Sequence, residues 1–274
     1  MSAEEDRICS MTRDYADSVV VVTGAAGGLG RAIAIGAAER GARAVVINDL
    51  MGQDGAAETA ELVKAAGATP ILAPGDVGDL AQCEAIASAA KPFGVIDALF
   101  NNAAKTVPGG DHSRLDAEAD DFVDVFRVNL IGPYQMIRAC KPLLDKSSRA
   151  AIVNISSIAA LTGLGTSLPY VASKGALTSV TLSLARALAP AIRVNALCPG
   201  HIDTPWFGKL YDESHVEAIR QSFRQGNALN AVSTAEDVAG PALFLGSPAA
   251  RHVTGEVLRV DAGLHLNSGL PKKG

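Results

Sequence analysis

Tyr170 and Lys174 stand four residues apart, and Ser157 lies thirteen residues before Tyr170. On a helix, positions i and i+4 share a face, so an ammonium there lies beside the phenol. Ser167 and Pro169 suit a helix start at this point, one as a cap and the other through its fixed φ. At ~4 Å and an effective dielectric of ~20 the attraction between ammonium and phenolate is ~4 kcal/mol, roughly three pKa units. A shift of that size brings a phenol from about 10 toward neutrality, where it serves as a general base. Ser157 ends the stretch IVNISS, just past a β-branched run, so it is expected at the carboxyl end of a strand, where open α/β sheets bind ligands. Its hydroxyl would hold a substrate oxygen while the phenolate removes a proton. Ser156 competes for that role, although its side chain should face the other way. The other tyrosines, Tyr15, Tyr134 and Tyr211, have Val19, Arg138 and His215 at the same offset, so only Tyr170 has a lysine there.

A second constellation concerns phosphate. TGAAGGLG, Thr23 to Gly30, joins a β-branched run to a helical stretch. Gly24 suits a turn with positive φ, and Gly28 and Gly30 are expected to let a pyrophosphate approach the backbone. The helix that follows would aim its free N–H groups and positive dipole end at that group. Asp49 comes nineteen residues after Gly30, at the end of the next run. A carboxylate there accepts both ribose hydroxyls of an adenosine and repels a 2′-phosphate. Neither Ala26 nor Gly27 is basic, so the pattern favours NAD over NADP.

These residues need a scaffold, and the chain supplies a rhythm of short apolar runs and alanine-rich stretches. The runs are 19–22, 44–47, 69–72, 98–100, 151–155, 192–197 and 256–260. Most are apolar throughout, as in strands covered on both faces. The intervening segments 29–40, 54–66, 80–90, 117–144, 168–188 and 234–245 repeat apolar residues three and four apart, the pattern of helices with one buried stripe. Such alternation implies right-handed crossovers and one doubly wound α/β domain, a seven-stranded parallel sheet with helices on both faces. Residues 1–17 read as a loose tail. Residues 205–226 break the rhythm and read as a substrate lid, with Trp206, Phe207, Leu210 and Tyr211 supplying an apolar cover.

Composition narrows the function classes. The 274 residues are 48% hydrophobic and 19% charged, too apolar for disorder. A net charge of −5 disfavours nucleic acid as a partner. No apolar run approaches the ~18 residues that span a bilayer, and the acidic start is unlike a signal peptide. The four cysteines, Cys9, Cys83, Cys140 and Cys198, are too far apart for a metal pair or a disulfide framework, so reduced thiols and a cytoplasmic protein are expected. Five histidines without paired spacing argue against a metal, although His201 is placed to line the site.

Taken together, the motifs resemble those of the short-chain dehydrogenase/reductase family, from Val19 to about His265. TGAAGGLG resembles its T-G-x-x-x-G-x-G, NNAA (Asn101 to Ala104) its N-N-A-G, and PGHIDT (Pro199 to Thr204) its P-G-x-I-x-T. Asn129, Ser157, Tyr170 and Lys174 match its four catalytic positions. The resemblance implies that Leu29, Asp76, Val77 and Asn102 join Gly24, Gly28, Gly30 and Asp49 in binding NAD. Asp76 would meet the adenine, Asn102 the ribose region, and Ile202 and Thr204 the carboxamide, with Tyr170 and Lys174 holding the nicotinamide end. Ala104 in place of a glycine, and DAG (Asp261 to Gly263) in place of D-G-G, depart from the pattern away from the catalytic groups. Pro133, four residues after Asn129, has no N–H for its carbonyl. That carbonyl is then set to hold the water of the family's proton relay from Lys174. The implied activity is NAD-linked interconversion of a secondary alcohol and a ketone, with an apolar or aromatic small-molecule substrate. A 3-oxoacyl thioester reductase and a non-catalytic dinucleotide-binding regulator are the alternatives. Family members are often tetramers, so a homo-oligomer, tetramer or dimer, is expected, with the helix 168–188 able to pair across a dimer axis.

Overall fold

The computed structural model describes residues 13–52, 54–107, 112–204, 208 and 211–266. Seven strands form one parallel sheet: β1 (Val19–Thr23), β2 (Ala44–Asn48), β3 (Thr69–Leu72), β4 (Ala98–Asn101), β5 (Ala151–Ile155), β6 (Arg193–Pro199) and β7 (Val257–Val260). Their order is β3-β2-β1-β4-β5-β6-β7. The chain winds outward in one direction through β3 and then in the other from β4, so the order reverses between β1 and β4. Loops diverge there at the carboxyl ends of the strands and leave a crevice.

β1 shows why its run is apolar throughout. Val20 and Val22 belong to one core with Ile33, Phe100 and Leu243, while Val19 and Val21 belong to the other with Leu99, Met136 and Ile152. The first core is covered by α1 (Gly28–Glu39) and α9 (Ala235–Gly246); a Cβ on Gly36 would lie 2.6 Å from Leu243, so a glycine permits their close packing. The second is covered by α3 (Leu80–Ser88), α5 (Gly132–Leu144) and part of α7 (Leu168–Leu188). α2 (Asp54–Ala65) and the short α6 (Ala159–Thr162) complete the crossovers, and α8 (Glu213–Gly226) follows β6.

Two expectations require correction. Residues 13–17 are not loose: Tyr15 is 1% exposed, and its hydroxyl donates to the Leu243 carbonyl at 2.7 Å. Arg149 adds a bond to the Ala16 carbonyl at 2.8 Å. A single aromatic anchor, with no periodic pattern around it, ties the segment down. The helix expected across 117–144 is two helices, α4 (Ala119–Phe126) and α5, joined by a π-turn, Arg127–Ile131. Gly132 N–H bonds the Arg127 carbonyl five residues back, and Pro133 has no N–H for the ordinary ladder, so the turn widens by one residue. Of the expected lid, Trp206, Phe207 and Leu210 lie outside the described residues; Tyr211 stacks on His215 at 4.8 Å, and α8 forms the rest. No helix among the described residues is long and apolar enough to cross a membrane. Cys83, Cys140 and Cys198 are free and buried, and Cys9 lies outside the described residues.

Candidate active site

A cleft of about 1220 Å³ opens at the carboxyl ends of the strands. Gly24, Gly28, Leu29, Asp49, Asp76, Val77, Asn102, Ile202 and Thr204 line it, and so do Ser157, Tyr170 and Lys174.

The glycine turn follows β1 directly. Gly24 has φ +65° and Gly28 φ +53°, conformations that a side chain rarely adopts. Gly27 caps α1 with nothing within 4 Å of where its Cβ would stand, so the helix start is open to a ligand. Gly30 plays a different part from the one expected. It is buried, and a Cβ there would lie 2.6 Å from Asn102 Nδ2 and against the Gly24 carbonyl. It keeps α1 close to the turn rather than facing a phosphate. Asn102 holds the same turn, donating from Nδ2 to the carbonyls of Thr23 and Gly24 at 3.0 Å each.

Asp49 directly follows β2, its carboxylate fixed by two backbone donors, Ala26 N and Leu50 N, each at 2.8 Å. Arg31, which sequence reasoning did not weigh, also lines the cleft. It donates to the Ala26 carbonyl at 2.7 Å and pairs with Glu58 at 2.7 Å. The cation near Ala26 thus comes from α1, where the turn sequence alone gave no sign of it. Asp76 accepts from Gly78 N and from Arg127 Nη1, both at 2.7 Å. Burial raises the Asp76 pKa, but the Arg127 and Gly78 bonds outweigh it and hold the carboxyl below its ordinary value.

At the Ser157, Tyr170 and Lys174 cluster, α7 starts as expected, with the Ser167 hydroxyl accepting from Tyr170 N at 3.3 Å and Pro169 in the first turn. Tyr170 and Lys174 share a face, and the Lys174 ammonium lies 5.6 Å from the centre of the Tyr170 ring. Its Nζ donates to the Ile155 carbonyl at the end of β5, at 2.7 Å. Ser157 accepts from Ala159 N at 3.1 Å and hydrogen-bonds Tyr170. Ser156 is excluded: its hydroxyl points away, to the Lys174 carbonyl at 3.0 Å and Thr178 at 2.8 Å. Asn129 is fully buried and does not line the cleft. Its amide bonds Lys105 N and O, at 2.7 and 2.8 Å, and Ser173 of α7 at 3.0 Å. The side chain therefore ties the turn to α7.

The electrostatics run against the simple sequence argument. Burial pushes the Tyr170 phenol up to about 12, and the Ser157 bond only partly opposes this. Burial also pulls Lys174 down to about 8. The spacing brings the two groups together, and burial moves each of them toward its neutral form. His201 is buried beside the cleft, stacked on Phe223 of α8 at 4.8 Å, and burial lowers its pKa, which keeps it neutral. Lys105 and Arg220, considered as anchors for an anionic tail, are paired with Asp124 at 2.8 Å and Asp203 at 2.8 Å. Lys209 lies outside the described residues, and Arg224 is exposed. No cluster of three or more metal-binding side chains occurs among the described residues.

The cleft and its open helix start fit a dinucleotide, and similar proteins agree. A family model described as enoyl-(acyl carrier protein) reductase matches residues 24–265. L-rhamnose 1-dehydrogenase (NAD(P)(+)) of Azotobacter vinelandii is 38% identical over 256 residues, 92% of this chain and 98% of that one. A Streptomyces violaceoruber protein described as a ketoacyl reductase of the granaticin polyketide synthase is 34% identical over 251 residues, 90% of this chain and 96% of that one. A crystal structure from Burkholderia xenovorans, described as a short-chain dehydrogenase/reductase, superposes with a TM-score of 0.82 at 39% identity, covering 91% of this chain and 98% of that one. With the sheet order, the glycine turn and these matches in agreement, the chain belongs to the short-chain dehydrogenase/reductase family of oxidoreductases.

Proposed function

We propose that this protein is an NAD-linked dehydrogenase of secondary alcohols and a reductase of the corresponding ketones. The observation that carries the reading is the bond from Ser157 to Tyr170, with the Lys174 ammonium 5.6 Å from the ring, in a cleft that also contains the glycine turn. A bound nicotinamide supplies the hydride acceptor or donor. Ser157 hydrogen-bonds the substrate oxygen, and Tyr170 Oη takes the hydroxyl proton in oxidation or returns it in reduction. Lys174 stabilises the phenolate and hydrogen-bonds the nicotinamide ribose. The Asn129 carbonyl, to which Pro133 has no N–H to offer, holds a water that passes the proton from Lys174 to solvent. Gly24, Gly28, Leu29, Asp76, Val77 and Asn102 bind the adenosine and pyrophosphate, and Ile202 and Thr204 meet the carboxamide.

Asp49 supports NAD, because a carboxylate at the ribose repels a 2′-phosphate. The paired states of Lys105 and Arg220, and the Phe223, Ile219 and Tyr211 wall, support an uncharged, largely apolar substrate. The free thiols suit a cytoplasmic setting. Exposed Val123, Ile131 and Tyr134 beside α7, with Leu182 on it, suit a homodimer or homotetramer. Thioester reduction is the second reading, favoured by the ketoacyl reductase relative; a preference for NADPH over NADH would select it.

The test is a panel of secondary alcohols with NAD, read as NADH absorbance, on wild type and Tyr170→Phe. The variant keeps the ring and loses the proton acceptor, so most of kcat should vanish while NADH still binds. Near-wild-type turnover by the variant refutes the assignment.

A further inference from the structure

Arg127 belongs to no motif of the sequence analysis, yet its surroundings form a built site. It opens the π-turn and reaches across to Asp76 with a 2.7 Å ion pair. Its guanidinium occupies the space a side chain at position 78 would need: a Cβ on Gly78 would lie 2.8 Å from Arg127 Cζ and closer still to Nη1. At the other end of the turn, a Cβ on Gly132 would lie 2.9 Å from Val77 Cγ2. Both ends of the turn thus grip the segment from Asp76 to Gly78, and both contacts depend on a glycine. Gln82 Oε1 accepts from Asp76 N at 2.8 Å and completes the frame. Asp76, Val77 and Arg127 all line the cleft.

We propose that Arg127 is a positioning residue for purine selectivity, fixing the Asp76 carboxylate so that it accepts from the exocyclic amino group of adenine and rejects an oxo group there. This rests on the dinucleotide reading given above. Asp76 Oδ1 already takes Gly78 N and Oδ2 takes Arg127, so the plane of the carboxylate is set from both sides. The pair keeps it a pure acceptor, consistent with its lowered pKa. An amino group at the purine 6-position donates to such an acceptor, whereas a carbonyl oxygen faces it lone pair to lone pair.

The experiment is calorimetric binding of NADH and of reduced nicotinamide hypoxanthine dinucleotide, without turnover. Wild type should favour NADH by about tenfold, the worth of one hydrogen bond to a charged group. Arg127→Gln should shrink that ratio to about threefold or less, chiefly by weakening NADH binding. Gly78→Ala, which leaves Arg127 in the chain but closes the space it occupies, should do the same, and Arg127→Lys should restore most of the preference. A wild-type ratio retained by Arg127→Gln overturns the proposal, as does a wild type without preference. A wild type that binds neither dinucleotide overturns the functional reading and this one with it.

Discussion

Lys174→Met separates two explanations of what the lysine does. The substitution removes a charge 5.6 Å from the centre of the Tyr170 ring. At an effective dielectric of ~20 a unit charge at that distance is worth ~3 kcal/mol to a phenolate, or about two pKa units. Burial holds the phenol at about 12, and Lys174 is not among the causes of that value, because a lysine near 8 is already neutral there. At lower pH, where the ammonium is present, it raises the ionised fraction of the phenol about a hundredfold over the variant. Lys174 itself is pulled down to about 8, so wild type carries that charge only below roughly pH 8. Above it the ammonium is progressively lost, and wild type converges on the variant. The ratio of kcat/KM for the alcohol, wild type over Lys174→Met at saturating NAD, should therefore be large near neutrality. It should fall by about a hundredfold as the pH rises to about 10. A pH-independent remainder is expected from the lost bond to the Ile155 carbonyl and from lost ribose contacts. The assay is NADH formation across that pH range, with calorimetric NADH binding as the control. A ratio that stays constant with pH refutes the electrostatic role and leaves Lys174 a purely structural anchor.

Three further outcomes follow from the geometry. Gly30→Ala drives a methyl into the Gly24 carbonyl and to 2.6 Å from Asn102, and should cost about 1–3 kcal/mol; a Tm within error of wild type contradicts this. Asp49→Ser removes the carboxylate proposed to face the ribose and leaves Arg31 nearby, so the proposed preference for NAD over NADP in kcat/KM should drop at least about tenfold, and an unchanged ratio disproves the assignment. Tyr15→Phe leaves the Leu243 carbonyl without its 2.7 Å donor and should cost about 1–3 kcal/mol by chemical denaturation. Burial raises the Tyr15 phenol well above 10, so its folded-state pKa exceeds the unfolded one. Its contribution is complete below about pH 10 and is lost as the pH climbs toward the folded value, so the gap between wild type and variant should narrow there.

Sequence reading recovered what depends on local spacing. β1 and β5 are apolar at every position except Thr23 and Asn154 and proved to be covered on both faces. The Ser167 cap and Pro169 located the start of α7, and the fourfold offset placed Lys174 beside Tyr170. What escaped depends on partners distant in the chain. Nothing near Tyr15 points to Leu243, 228 residues away. Arg127 reads as an ordinary polar position on a helix until Gly78 makes room for it. Spacing brought phenol and ammonium together but could not report how deeply both are buried, and that depth sets the direction of both shifts. The role of Asn129 divided similarly: the motif found the residue, but only the fold shows its amide occupied by Lys105 and Ser173.

The widened turn at Arg127–Ile131 serves two customers from one short piece of backbone. Its ends clasp Val77 and Asp76, while its middle steadies the helix that bears Tyr170 and Lys174 through Asn129 and Ser173. Inserting or deleting a single residue there would rotate the ends and the middle out of phase. On the proposed function, nucleotide grip and acid–base chemistry would then fail together.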